Sequence, residues 1–485
     1  MTPASLQGPG STLGRELLGK VARGSLWVVG GRVSTALLRL ASNIIIARLL
    51  FPEAFGLMGL VSVFITGIEL FSDTGIGPSI IRSKRGDDPV FLRTAWTVQV
   101  IRGVLLYLVC LILASPYAAI YEEPELARML SWAGLVSVLN GIRSPEWYVA
   151  DRKFMQGRKV LIDLASHFVG ISVMIGWALF DRSVDALLAG SLSTALTHTV
   201  ASNLMFSSRS MKLHLDRSAL IELIGFGRWI FISTAATFLA LQGDRLALGY
   251  LVALGPLGVF FVASRIVDLA TTMLHSIVES VIFPAWMESA RRDEEHHVSR
   301  MQRSRSIVLT VGLSSLVLIV GLAPTLFRLL YDSRYGTAAI YAQAMCVPAW
   351  FLLLKNSAAK AVLVHGNSRA QAISNIVQLT VKLPASLLGH YWLGLHGFIL
   401  FGSLGIVAGL GVLYPVLREY RSSLGKHDAK ATVRFFALAG SAAAVSYFVR
   451  DAGNIAATAV ECAATTVLVV IAAYPLLRAM KGVQR

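Results

Sequence analysis

The stretch GSLWVVGGRVSTALLRLASNIIIARLL, residues 24–50, is apolar over most of its length yet carries Arg32 and Arg39 well inside it. A bilayer core is crossed by about 20 mostly apolar residues in a helix, so this stretch has the length and composition of a membrane span. A charge at the centre of such a helix costs at least about 2.5–3.5 kcal/mol and is normally aimed at a partner or a hydrated cavity. Arg32, Thr35, Arg39 and Asn43 recur at i, i+3, i+7 and i+11, which places them on one helical face. One helix therefore shows lipid-facing and water-facing sides together.

The whole chain has the same character. Of 485 residues 55% are hydrophobic and only 15% charged, and the mean hydropathy is +0.64. Soluble domains run at about 25% charged, and disordered chains need low hydrophobicity, so both classes are excluded. About fourteen apolar runs of spanning length follow one another, at 24–50, 54–81, 94–117, 126–146, 160–181, 185–207, 220–243, 246–285, 306–330, 337–358, 369–391, 394–417, 433–449 and 455–477. The fold class is thus an all-α integral membrane protein. Residues 1–23 read as an interfacial segment rather than a cleaved signal.

The net charge of +16 would suggest nucleic acid in a soluble protein, but here the Lys and Arg residues crowd alternate loops. Residues 82–85, 143–159, 209–217, 291–305 and 418–434 are basic, whereas 116–125 carries Glu122, Glu123 and Glu125. Basic loops face the cytoplasm. An even number of spans then places both termini there, and no nucleic-acid partner is expected. Cys110, Cys346 and Cys462 are far apart, without metal-ligand spacing, and no metal or cofactor is expected.

Further polar stripes mark other spans. Thr66, Glu69, Asp73 and Gly77 repeat the i, i+3, i+7, i+11 spacing in the second. Arg265, Asp268, Thr272, His275 and Glu279 run along the eighth, and Asn375, Gln378 and Lys382 along the eleventh. For each stripe a structural reading stands beside the functional one. Arg32 is near enough to the membrane surface to snorkel, Arg265 and Asp268 can pair at i, i+3, and Asp163 and His167 can bond each other at i, i+4. Arg102 can snorkel at its helix end.

Sliding the chain by 202 residues superposes Trp27 on Trp229, Thr35 on Thr237, Gly56 on Gly258 and Ser62 on Ser264. The turn at Phe51-Pro-Glu-Ala-Phe-Gly then lies over Ala253-Leu-Gly-Pro-Leu-Gly. Six spans separate the equivalent helices, so the two halves share one orientation, and a parallel repeat places the substrate site between them.

Gly24-Ser-Leu-Trp-Val-Val-Gly-Gly-Arg-Val-Ser, Ala47-Arg-Leu-Leu-Phe-Pro-Glu-Ala-Phe-Gly-Leu and Phe71-Ser-Asp-Thr-Gly-Ile-Gly-Pro-Ser-Ile-Ile resemble the opening of polysaccharide repeat-unit flippases. These are the Wzx-type members of the multidrug/oligosaccharidyl-lipid/polysaccharide (MOP) exporter superfamily. Asp151-Arg-Lys-Phe and Gly243-Asp-Arg-Leu-Ala-Leu-Gly resemble the same family. The resemblance implies two six-helix lobes in a V, 24–217 and 218–420, followed by two further helices within 421–485. It implies a central cavity and a polyprenyl-diphosphate-linked oligosaccharide as cargo, flipped from the cytoplasmic to the outer leaflet of a bacterial inner membrane by alternating access of the lobes. A polysaccharide polymerase of the same pathway is then a candidate partner.

Guanidinium groups give phosphate always-charged bidentate donors. Arg32, Arg39 and Arg265, with Lys382, are therefore the expected diphosphate ligands, and Thr35 and Asn43 the glycan contacts. Glu69, Asp73 and Asp268 are the candidates for coupling to H+ or Na+. No GxxxxGK[ST] is present to bind ATP. The competing functions are a lipid-linked peptidoglycan precursor flippase, a MATE-like drug/cation antiporter and, from another class, a membrane polysaccharide polymerase. That enzyme would need a large outer loop, and all outer loops here are short. The last two spans are expected to be peripheral, with Glu461 their one acid.

Overall fold

The computed structural model describes residues 12–72, 75–153, 155–206, 211–291, 297–419, 424–450 and 455–481. Within these, side chains are described except at 12–29, 32, 224–237, 239–241, 280, 419, 449–450, 455–457 and 475–481. The chain divides into two compact units, Met1–Leu254 and Gly255–Arg485. Among the described residues there are helices and turns and no strands. Eight helical stretches among the described residues are long and apolar enough to cross a membrane.

The first unit holds α1 (Thr12–Leu49), α2 (Pro52–Phe71), α3 (Ile76–Arg82), α4 (Pro89–Ile120), α5 (Glu125–Ala133), α6 (Leu135–Ile142), α7 (Glu146–Arg152), α8 (Gln156–Phe180), α9 (Asp185–Met205) and α10 (Arg217–Leu251). Local chemistry sets the ends. Pro52 and Pro89 occupy first-turn positions, where the missing N–H costs nothing. Asp88 caps α4 by accepting from Val90 N at 3.0 Å, and Asp216 caps α10 by accepting from Ala219 N at 2.9 Å. Helix α1 starts at Thr12, so the segment expected to lie apart at the interface is continuous with the first span from there on.

Two expected spans are broken. The second ends as α2 at Phe71 and resumes as α3 beyond Gly75, whose φ of 64° is left-handed. Ser72, Asp73, Thr74 and Gly75 are residue types that favour turns over helix, and the expected face from Thr66 to Gly77 is divided between α2, which ends at Phe71, and α3, which starts at Ile76. Arg102 closes this end of α2, donating to Ser72 Oγ at 3.0 Å and to the Glu69 carbonyl at 2.8 Å. The fourth span is divided into α5 and α6. The buried Gln99 amide donates to the carbonyls of Asn140, Gly141 and Arg143 at 2.9, 3.2 and 3.1 Å and so caps α6.

The second unit comprises α11 (Leu254–Ile277), a π-helical turn (Val278–Ile282), α12 (Phe283–Arg291), α13 (His297–Leu330), α14 (Ala338–Val364), α15 (Ser368–Glu419), α16 (Leu424–Arg450) and α17 (Ile455–Lys481). The eighth span was expected from residue 246, but α10 runs on to Leu251 and α11 begins at Leu254. Those limits lie 202 residues beyond Leu49 and Pro52, so the offset that aligned the two turns in sequence also aligns the two helix breaks.

Helix α15 is two helices folded back on each other. Leu393 leaves helical geometry and Gly394 takes φ 58°, ψ −144°, a region essentially closed to side chains. The halves then run antiparallel at close range. A Cβ at Gly402 would lie 2.8 Å from Ser386 Oγ, one at Gly405 2.5 Å from Lys382 N, and one at Gly409 2.8 Å from the Ser374 carbonyl. Ser374 also donates to the Gly409 carbonyl at 2.7 Å. Small residues that let backbones approach are the usual means of helix association in lipid.

Buried polar contacts tie α13 to its neighbours. Pro324 cannot donate to the Val320 carbonyl, and Gln343 of α14 fills that place at 2.7 Å. Arg305, expected in a solvated basic loop, is instead 1% exposed. Its guanidinium makes a two-pronged pair with Asp428 of α16, Nη2 to Oδ2 at 2.8 Å, and reaches Ser357 Oγ at 3.0 Å and the Leu354 carbonyl at 3.2 Å. Tyr414 donates to Asp428 Oδ2 at 2.7 Å.

Candidate functional site

In the first unit α1 presents Thr35, Arg39 and Asn43 at successive turns, Arg39 exposed and the other two half-buried. Arg32 and Asp73 lie outside the residues whose side chains are described. Arg39 Nη2 donates to His167 Nε2 of α8 at 2.9 Å. Arginine has no acceptor, so the imidazole nitrogen must supply the lone pair. Asp163, one turn away on α8, meets His198 Nε2 of α9 at 3.0 Å, and the Trp147 ring packs edge-on to His198 at 4.6 Å. Asp163 and His167, adjacent at i, i+4, thus turn to different helices instead of to each other. Among the described residues no carboxylate lies within ion-pair distance of Arg39.

Glu69 is held nearby in sequence terms only. Its Oε1 accepts from Asn140 Nδ2 at 3.2 Å, and its carbonyl is taken by Arg102. Arg102 is therefore a helix-end cap rather than a snorkelling side chain.

In the second unit Arg265 (exposed) and Asp268 (half-buried) lie one turn apart on α11. Glu279, inside the π-helical turn, pairs with Lys360 of α14 at 2.7 Å, with His275 at 3.6 Å. Lys382 is half-buried in the seam of α15. Asn375 and Gln378 from the same expected stripe are occupied by Lys355 of α14, whose ammonium donates to Asn375 Oδ1 at 2.7 Å and to Gln378 Oε1. Lys355 is only 4% exposed.

Sequence reasoning passed over His198 and Lys355. A Lys directly after the apolar run 347–354 was the available signal for Lys355. For the α8 group it was the recurrence of Lys159, Asp163, Ser166 and His167 on one helical face. Each unit thus offers cations set among apolar helices: Arg39 against an imidazole in the first, and Lys355, Lys382 and Arg265 in the second.

The description "polysaccharide biosynthesis protein" belongs to the family model that matches residues 45–391. The chain is 20% identical over 387 residues to lipopolysaccharide biosynthesis protein WzxC of Escherichia coli, covering 79% of this chain and 77% of that protein. It is 20% identical over 404 residues to succinoglycan biosynthesis transport protein ExoT of Rhizobium meliloti, covering 77% and 79%. The fold is that of the lipid II flippase MurJ in its inward closed conformation, with a TM-score of 0.70 at 10% identity over 94% of this chain and all of that one. The chain belongs to the polysaccharide biosynthesis protein family and has the fold of MOP-superfamily transporters.

Proposed function

We propose that the protein flips polyprenyl-diphosphate-linked oligosaccharide repeat units from the cytoplasmic to the outer leaflet for polysaccharide assembly. One observation carries this: the Arg39 guanidinium, in the middle of an apolar helix, is held by an imidazole and not by a carboxylate. Its charge is thereby left for an anionic cargo. Guanidinium is the side chain best matched to phosphate. Arg32, Arg265 and Lys382 share the diphosphate as cargo passes, and Thr35 and Asn43 contact sugar hydroxyls.

The relatives named for lipopolysaccharide and succinoglycan biosynthesis support a glycan cargo. The chain crosses a bacterial inner membrane fourteen times with both termini cytoplasmic, in keeping with its basic loops. Residues 24–217 and 218–420 act as the two alternating lobes. A polymerase of the same pathway receives the flipped units. Glu69, Asp73 and Asp268 serve H+ or Na+ coupling in this scheme.

Arg39→Ala and Arg39→Lys, each brought to wild-type membrane levels, test it. Loss of one charge-assisted phosphate contact is worth about 1.5–3 kcal/mol, so flipping of a lipid-linked oligosaccharide in proteoliposomes should fall about 10- to 100-fold in Arg39→Ala. Arg39→Lys should keep part of the activity. Unchanged surface polysaccharide and unchanged flipping in Arg39→Ala would remove the diphosphate role.

A further inference from the structure

Helices α13 and α17 meet in a seam of polar rungs. Arg328 Nη2 donates to Thr458 Oγ1 at 2.9 Å. One turn back along α13, Thr325 Oγ1 donates to Glu461 Oε2. One further turn along, Gly321 faces Thr465, whose Cβ would lie 3.1 Å from a Cβ at position 321. Residue numbers fall on α13 as they rise on α17, so the two helices are antiparallel. The seam therefore runs from an exposed rung at Arg328 to a buried one at Thr465.

The middle of the seam is chemically incomplete. Glu461 is 2% exposed and Thr465 1%, yet Glu461 Oε1 and Thr465 Oγ1 have no protein partner. Among the described residues no Lys, Arg or His lies within ion-pair distance of Glu461, and Arg328 is turned to Thr458 instead. Glu461, the one acid expected in the last two spans, is thus buried against α13. A carboxyl group buried in this way either takes up a proton or is balanced by a positive charge, because desolvating the anion costs several kcal/mol.

We propose that Glu461, Thr465 and Thr325 bind one small monovalent cation, sodium. The donors are all oxygen, one carboxylate and two hydroxyls, which is the set preferred by hard cations. A single carboxylate balances one positive charge, which disfavours a divalent ion. The missing Cβ at Gly321 lets the Thr465 side chain seat against α13, its Oγ1 lying where it would clash with that Cβ, and a hydroxyl can keep its hydrogen on the carboxylate while its lone pair faces the ion. The site uses none of Glu69, Asp73 and Asp268, and it stands whatever cargo the transporter carries.

The test uses full-length purified protein in a neutral detergent, in choline chloride exchanged for sodium chloride at constant ionic strength. A ligand that binds only the folded state raises its stability with saturation. Sodium should therefore raise the apparent unfolding temperature saturably, potassium should not, and radioactive sodium should bind at one site. Glu461→Gln, which keeps an acceptor for Thr325, should abolish both responses. Thr465→Val should weaken apparent sodium affinity about tenfold, equivalent to about 1.4 kcal/mol. An equal sodium response in wild type and Glu461→Gln, or no sodium response in wild type, would overturn the site.

Discussion

Replacing Asp428 by Ala would strand the guanidinium of Arg305 in the second unit. Arg305 and Asp428 are 1% and 2% exposed, and the carboxylate takes two of the guanidinium's bonds as well as the Tyr414 hydroxyl. The bonds to Ser357 and the Leu354 carbonyl remain, but neither carries a compensating charge. Removing one partner of such a pair costs about 3–5 kcal/mol, whereas exchanging both for apolar residues of similar volume is close to neutral. At roughly 2–4 °C per kcal/mol for a unit of this size, Asp428→Ala should lower the apparent unfolding temperature by about 6–20 °C. Arg305→Met should do the same, while Arg305→Met with Asp428→Leu should return to within a few degrees of wild type. The assay is thermal unfolding of the detergent-purified protein, arranged as a double-mutant cycle. Two single variants that are each nearly silent, or whose effects simply add in the double variant, would refute the buried-pair account.

Gln343→Leu should cost about 1–3 kcal/mol, because it leaves the Val320 carbonyl below Pro324 without a donor. Pro324→Ala restores the helical N–H and should recover most of that loss in the double variant, as read by unfolding temperature. Asp216, at the cap of α10, is held below its ordinary value of 3.8 by hydrogen bonds from the Ser218 hydroxyl and then from the Ala219 N–H. Its contribution to stability is therefore complete above pH 3.8 and fades as pH falls through the lowered folded-state value. The gap in unfolding temperature between wild type and Asp216→Asn should close as the pH is taken from 7 towards 3, and a gap constant with pH would contradict the capping charge.

The helices were legible because apolar runs of spanning length need no knowledge of a partner. The 202-residue offset even placed the break between α10 and α11, since a turn between two spans is a local feature. The breaks inside spans were less visible: Ser72 to Gly75 is a four-residue polar run inside a long apolar one, and its turn propensity was the signal for a break. Periodicity put Arg39 on a polar face correctly, but it could not say that His167, 128 positions away, would meet it. Arg305 was misplaced for the same reason, as its burial depends on Asp428 at a separation of 123 residues. A side chain's face is written locally, and its partner is not.

The fold-back at Gly394 also bears on how the chain enters the membrane. Ser374, Gln378, Lys382 and Ser386 form a polar line down the first half of α15, and Gly402, Gly405 and Gly409 of the second half cover it. Delivered to lipid alone, the first half would expose that line to hydrocarbon. Paired with the second, it is shielded by backbone. Residues 368–419 are thus expected to enter the bilayer together as a helical hairpin, its glycine-lined seam closed against the polar line.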